Sequence, residues 1–153
     1  MTGRPNGRRR SGGQSLVEFA LVLPLIVLTL MGILDFGRGI LAYNTLAESA
    51  RQANRLAIVD QNQDRIKAVA VAHAPAVGLT AANVNVCITA AVTPTACGAA
   101  PCLGCLARVT ASTTFVPITP VISLIFPSGI GLSSTSVGPI ENVCPRTGRP
   151  SCP

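Results

Sequence analysis

Aromatic side chains and acidic charges are scarce in this chain of 153 residues. It has no tryptophan, one tyrosine and four phenylalanines, and only six acidic residues against twelve basic ones. Nucleic-acid-binding surfaces interleave basic and aromatic side chains, and too few aromatics are present for that. The single histidine, His73, and the scattered acids form no catalytic triad, and no phosphate-binding glycine loop occurs. We therefore expect a protein that is not an enzyme, does not bind nucleic acid, and needs no cofactor or small-molecule substrate.

The net charge of +6 is concentrated near the beginning of the chain. Four of the twelve basic residues lie within the first thirteen positions, at Arg4, Arg8, Arg9 and Arg10. From Gln14 onward the chain carries eight basic and six acidic residues, a net charge of only +2. Basic clusters beside an apolar segment stay on the cytoplasmic side of a membrane. Residues 1–13 are therefore predicted to be a cytoplasmic leader.

An apolar run of 19 residues, Leu16–Leu34, follows this leader and contains one charge, Glu18. About 20 apolar residues in an α-helix span the hydrocarbon core of a bilayer. We therefore predict a single membrane-spanning helix over residues 14–34 in the cell (inner) membrane. The positive-inside rule then places everything after residue 35 on the extracytoplasmic side.

The remainder of the chain predicts an α+β ectodomain. A helical region is expected over residues 35–78, because small apolar residues recur at helical spacing and a second helix is indicated over Asp64–His73. That helix has Ile66, Val69, Ala70 and His73 on one face, with the imidazole packed or facing the helix end. Alternating β-branched segments predict a small antiparallel sheet within residues 79–142, with strands over 84–90, 107–116 and 130–137. Residues 143–153 form a tail rich in cysteine and proline.

Six cysteines all lie in this predicted extracytoplasmic part. An even number of cysteines in an exported domain is typical of a disulfide framework, and a core made mostly of alanine and valine would need such cross-links. Cys102-Leu-Gly-Cys105 could instead be a redox motif or half of a zinc site, but its proline- and glycine-rich surroundings favour a structural disulfide. The pairing stays open, with Cys144 and Cys152 a plausible local pair; no metal site is expected. The cysteines that are candidates for disulfide bonds are Cys87, Cys97, Cys102, Cys105, Cys144 and Cys152.

The first apolar helix is preceded by Gly13-Gln14-Ser-Leu-Val-Glu18-Phe19. A secretory signal cleaved after the apolar run would need a small-x-small site, which is missing after Leu34. A twin-arginine signal fits the polar residues after Arg10 poorly. A simple signal anchor, with Glu18 at the level of the lipid headgroups, is the plain alternative.

This segment resembles the class III signal of type IV-like pilins, and in particular the TadE-like branch of the tight-adherence (Flp) pilus proteins. Pro24 matches the usual proline of that family. The residues from Asn44 to Arg55, the segment Pro117–Pro120 and the segment Ser133–Asn142 are also similar to it. The resemblance implies that a prepilin peptidase cuts between Gly13 and Gln14 and leaves the helix in the mature protein.

The resemblance also implies a function in pilus assembly. The partners would be the bilayer, other pilins, the assembly platform and the peptidase, and the product could be part of an extracellular pilus. Glu18 and Pro24 would set the register of assembly, because the amino group created at Gln14 lies one helical turn from Glu18 and can neutralise its carboxylate. The six cysteines depart from the family pattern. The alternative is an uncleaved, signal-anchored extracytoplasmic binding or adhesion module stabilised by disulfides.

Overall fold

One long helix, α1, forms the first part of the chain in this computed structural model, which describes residues 12–90, 97–98 and 100–143. It extends from Gly12 to Ala57, over 46 residues, and continues through Pro24 without interruption. At 1.5 Å per residue its length is roughly 69 Å. The predicted membrane segment and the first part of the predicted ectodomain are therefore a single continuous helix.

The two halves of α1 differ in what surrounds them. Residues 13–30 are all exposed, whereas the second half packs its small apolar side chains into the domain. Leu46, Ala50, Ala53 and Ala57 are buried along one stripe. The charged residues of the opposite face stay exposed, and Arg51 pairs with Glu48 at 3.6 Å. The second half of α1 is thus an ordinary amphipathic helix, and the first half is exposed and apolar apart from a few polar residues such as Glu18.

A second helix, α2, covers Gln63–Ala72 and packs across the end of α1. The Asn62 side chain caps it by accepting hydrogen bonds from the backbone N–H groups of Asp64 and Arg65. Ile66 is fully buried, and the Ser49 hydroxyl donates to the Ala70 carbonyl at 2.7 Å. His73 is exposed at the C-cap, so it faces the helix end rather than the core.

The three predicted strands form one antiparallel sheet in the order β1-β2-β3. The strands are β1 (Val84–Thr89), β2 (Leu106–Phe115) and β3 (Ile130–Pro139). Each lies within two residues of its predicted bounds. The apolar segment between β2 and β3 is a short helix, α3 (Pro120–Ile125), which the sequence analysis did not assign. The α+β architecture is confirmed.

One core joins the helices to the sheet. Val109 lies opposite Val86 in β1 and Ser136 in β3, and these positions share the face of the sheet that α1 and α2 cover. Most buried apolar residues are alanine or valine, with a few larger residues such as Leu46 and Ile66. Because this core contains residues from both the 35–78 and the 79–142 regions, the two regions fold as one unit.

Two disulfides lie beside strands β1 and β2. Cys87 pairs with Cys97, and Cys102 pairs with Cys105 immediately before β2. The expectation of structural disulfides is confirmed for these four cysteines. The Cys102–Cys105 segment leads into a strand, whereas the redox motif of thioredoxin-like proteins opens a helix. Cys144 and Cys152 lie outside the described residues.

Gly138 of β3 allows α1 to approach the sheet closely. A Cβ atom at this position would lie 2.9 Å from the Asn54 side-chain amide and 3.1 Å from Ile58 Cγ2. In the orientation that satisfies its neighbours, the Asn54 amide donates to the Ala107 carbonyl and accepts from the Gly138 N–H. Asn54 therefore bridges β2 and β3 from the helix, through a gap that any larger residue would fill.

We expect Gly138→Ala to lower the free energy of unfolding by about 1–3 kcal/mol, because the new methyl group would push the buried Asn54 side chain out of place. Gly131→Ala in the same strand is the matched control, since nothing lies within 4 Å of its added Cβ. Denaturant unfolding of the detergent-solubilised protein measures both. Equal stability of the two variants would contradict this account of the packing between α1 and β3.

Candidate functional site

The residues of the predicted processing signal lie in the first turns of α1. Gly13, Gln14, Glu18 and Phe19 are all exposed, and nothing approaches within 4 Å of the position that a Cβ of Gly13 would occupy. Pro24 is exposed further along the same helix. No other part of the described chain packs against this segment. The structure thus leaves the segment accessible to other molecules, and it does not test whether the chain is cut there.

The apolar half of α1 has the properties of a membrane span. Among the described residues, one helix is long and apolar enough to cross a membrane, and its most apolar window of 18 residues has a mean hydropathy of 2.5. None of that window is buried in the protein. An unburied helix of this kind suggests a single-pass membrane anchor.

Asp35 fixes the point at which the ectodomain meets this anchor. It directly follows the apolar run, and its side chain is only 4% exposed. Its carboxylate accepts hydrogen bonds from the Ile118 N–H at 2.8 Å, the Thr119 N–H at 2.7 Å and the Thr119 hydroxyl at 2.7 Å. These residues connect β2 to α3, so one carboxylate joins α1 to a segment 83 residues later in the chain.

Arg38 extends the same contact by one turn of α1. Its guanidinium donates to Asp35 Oδ1 at 3.2 Å, and its Cζ lies 5.4 Å from the centre of the Phe115 ring. An arginine over an aromatic face is attracted by the negative potential of the ring. The end of β2 is therefore held against α1 immediately beside the Asp35 carboxylate.

The hydrogen bonds to Asp35 favour its charged form. The backbone N–H of Ile118, the Thr119 hydroxyl and the Thr119 N–H lower the pKa of the carboxyl from 3.8 to about 2, and Arg38 adds a smaller effect in the same direction. Desolvation opposes the shift without reversing it. Asp35 is thus ionised under all physiological conditions.

An apolar cavity of about 450 Å³ lies next to this junction. It opens between α1 and the segment that contains α3, and its lining is almost entirely apolar. The residues that define it include Gly32, Phe36, Tyr43, Phe115, Ile122 and Leu132. The described residues contain no group of three histidine, cysteine or acidic side chains that could hold a metal ion.

The Asp35 junction is not apparent from the sequence patterns. The available signal was a lone carboxylate at the end of an apolar run, where an ionised group needs partners unless it is fully solvated. Its partners at Ile118 and Thr119 could not be identified from the sequence, because two of the donors are backbone N–H groups and both residues lie more than 80 positions later in the chain. The resemblance directed attention to Glu18 instead.

Comparison with known proteins identifies a match to a protein family. Residues 13–55 match the model of the family described as TadE-like protein, which covers 43 of the 153 residues. No curated protein and no solved structure matches the chain. The match confirms the resemblance over α1, and with the apolar helix it fits a membrane-anchored, pilus-associated protein.

We expect the Asp35 carboxyl to titrate with a pKa of about 2, measured by ¹³C NMR of its side chain in the detergent-solubilised protein. Since this value lies below the ordinary 3.8, the ionised junction stabilises the fold fully above about pH 4 and is lost as the pH falls toward 2. Thr119→Val should raise the pKa because it removes one donor, and Thr119→Ser should preserve it. An ordinary carboxyl pKa in the unmodified protein would contradict the observed junction.

Proposed function

We propose that this chain is a minor pilin or pseudopilin that takes part in assembling a tight-adherence pilus of the Flp, type IVc-like class. The observation that carries the proposal is the TadE-like match over residues 13–55, which begins at Gly13 and includes the whole exposed apolar half of α1. The role is structural, and the chain acts as a substrate of the assembly machinery rather than as an enzyme.

The exposed half of α1 would supply the assembly contacts. Every residue from 13 to 30 is exposed, including bulky side chains such as Leu21, Leu25 and Leu30. In the membrane these side chains contact lipid, and in a pilus or its assembly platform they would contact the helices of other pilins. Van der Waals packing between helices can replace lipid contacts at little cost, since both environments are apolar.

Glu18 would act after cleavage by a prepilin peptidase between Gly13 and Gln14. The cut creates an α-amino group at Gln14, four residues from Glu18 and therefore on the same face of the helix. That amino group, of the same chain or of an adjacent subunit, would neutralise the carboxylate in a low-dielectric environment. The leader would stay in the cytoplasm, with the ectodomain outside the inner membrane, where disulfides persist.

The first prediction from this proposal concerns the cut. In cells that carry a prepilin peptidase, mass spectrometry should find a mature chain that begins at Gln14, and Gly13→Leu should abolish it because a bulky side chain blocks close approach of the scissile bond. Gly37→Leu, also at an exposed helical position with nothing within 4 Å, is the control and should be cut normally. An intact leader in such cells would favour the uncleaved adhesion module instead.

A second prediction concerns the carboxylate. Glu18→Ala should leave membrane insertion unchanged but reduce incorporation into pili by about tenfold or more, because a loss of about 1.4 kcal/mol of pairing energy is enough for that factor. Thr29→Ala is the control, because the Thr29 hydroxyl is used within its own helix, donating to the Leu25 carbonyl at 2.8 Å. Immunoblots of sheared pili and of membranes measure the two quantities. Normal incorporation of the Glu18 variant would rule out the pairing.

A further inference from the structure

Between Arg108 and Glu141 the chain contains no charged residue. The middle of this segment holds α3 and its flanking turns, where bulky apolar side chains point outward. Leu124 is 82% exposed, and its neighbours are also largely uncovered. We refer to these side chains as the α3 patch, which consists of Val116, Ile118, Val121, Leu124, Ile125 and Phe126.

The Asp35 junction determines where the α3 patch lies along α1. Ile118 and Thr119 bond directly to Asp35, which comes one residue after the apolar run. Ile122 of α3 lines the same cavity as Gly32, within the last turn of that run. The patch therefore lies beside the last turn of the apolar run. Its exposed side chains are next to the apolar surface of α1.

Several polar groups around the patch are hydrogen-bonded within the protein. The Ser123 hydroxyl donates to the Pro120 carbonyl at 2.9 Å, and the Phe126 N–H donates to the Ile122 carbonyl at 2.9 Å. The N–H groups that precede α3 are used by Asp35, and the Asp35 charge is covered by those same donors. Groups satisfied in this way can be placed in a poorly hydrated environment without losing hydrogen bonds to water.

We propose that the α3 patch inserts into the lipid bilayer at the boundary between headgroups and acyl chains, as a second anchor beside α1 on the ectodomain side. The inference rests on α1 spanning the membrane as far as Asp35. The region from Gly32 to Gly39 covers roughly 10 Å along the helix axis. The headgroup layer on each side of a bilayer is about 5–8 Å thick, so a segment held at this level meets lipid.

Lipid is a better occupant of this surface than a charged protein partner. The segment from residue 109 to residue 140 has no acidic or basic side chain, so it offers no charge complementarity to a partner. The nearby Arg38 is half exposed, but it is paired with Asp35 and lies over the Phe115 ring. Leucine, isoleucine and phenylalanine are the side chains by which short interfacial segments enter the acyl region. The ectodomain would consequently lie against the membrane instead of standing away from it.

The absence of native tryptophan makes the proposal directly testable. Four full-length variants, each with one tryptophan, would be reconstituted into phosphatidylcholine vesicles with and without brominated acyl chains, which quench tryptophan on contact. Leu124→Trp reports on the α3 patch, and Leu25→Trp reports on the membrane segment. Leu103→Trp is the matched control, since Leu103 is 66% exposed in the Cys102–Cys105 loop beyond the opposite end of β2. Circular dichroism checks the fold, and Ile125→Trp is a second reporter on α3.

We expect blue-shifted emission from Leu124→Trp and Leu25→Trp, with bromolipid quenching at Leu124 at least half as strong as at Leu25, while Leu103→Trp stays unquenched. Quenching at Leu25 but not at Leu124 or Ile125 would overturn the second anchor and leave the membrane span intact. Absence of quenching at Leu25 would overturn the membrane span itself. Emission from Leu124→Trp that shifts with protein concentration and resists bromolipid would show that a second copy covers the patch, which also overturns the proposal.

Discussion

The organisation of this protein depends on how one buried carboxylate is satisfied. Asp35 lies where the exposed apolar half of α1 ends. The rest of the same helix, after Asp35, packs into a folded domain. Its hydrogen bonds to Ile118 and Thr119 bring the β2–α3 connection to the membrane end of the domain. Without these hydrogen bonds, the connection would be held against α1 only by weaker contacts, such as that between Arg38 and the Phe115 ring.

Much of the fold follows from sequence patterns, because those patterns reflect local chemistry. The small-residue stripe from Leu46 to Ala57 and the alternation in β2 indicate faces that must be buried, and both are buried as predicted. α3 was not predicted because Pro120–Ile125 is too short and too uniformly apolar for a period to be read. The Asp35 junction was not predicted because it joins residues 83 positions apart through backbone donors.

Some parts of the candidate site can likewise be recognised in the sequence, and others are seen only in the structure. The Gly13–Phe19 motif is recognisable because a family match supports the resemblance there, yet the fold adds little to it, since those residues contact nothing else that is described. The junction and the α3 patch are invisible to motif reasoning, yet the structure defines them well. The sequence motif of α1 and the position of the α3 patch are therefore two separate kinds of evidence about this chain.

The continuity of α1 has a mechanical consequence. Because one uninterrupted helix extends from Gly12 to Ala57 and its second half is packed into the core through Leu46, Ala50 and Ala53, the ectodomain is fixed to the end of a rod. A shift of the exposed half of α1 along its axis by the rise of one residue would move the sheet packed on the other half by about 1.5 Å. The exposed half of α1 and the folded domain are thus coupled as one continuous element.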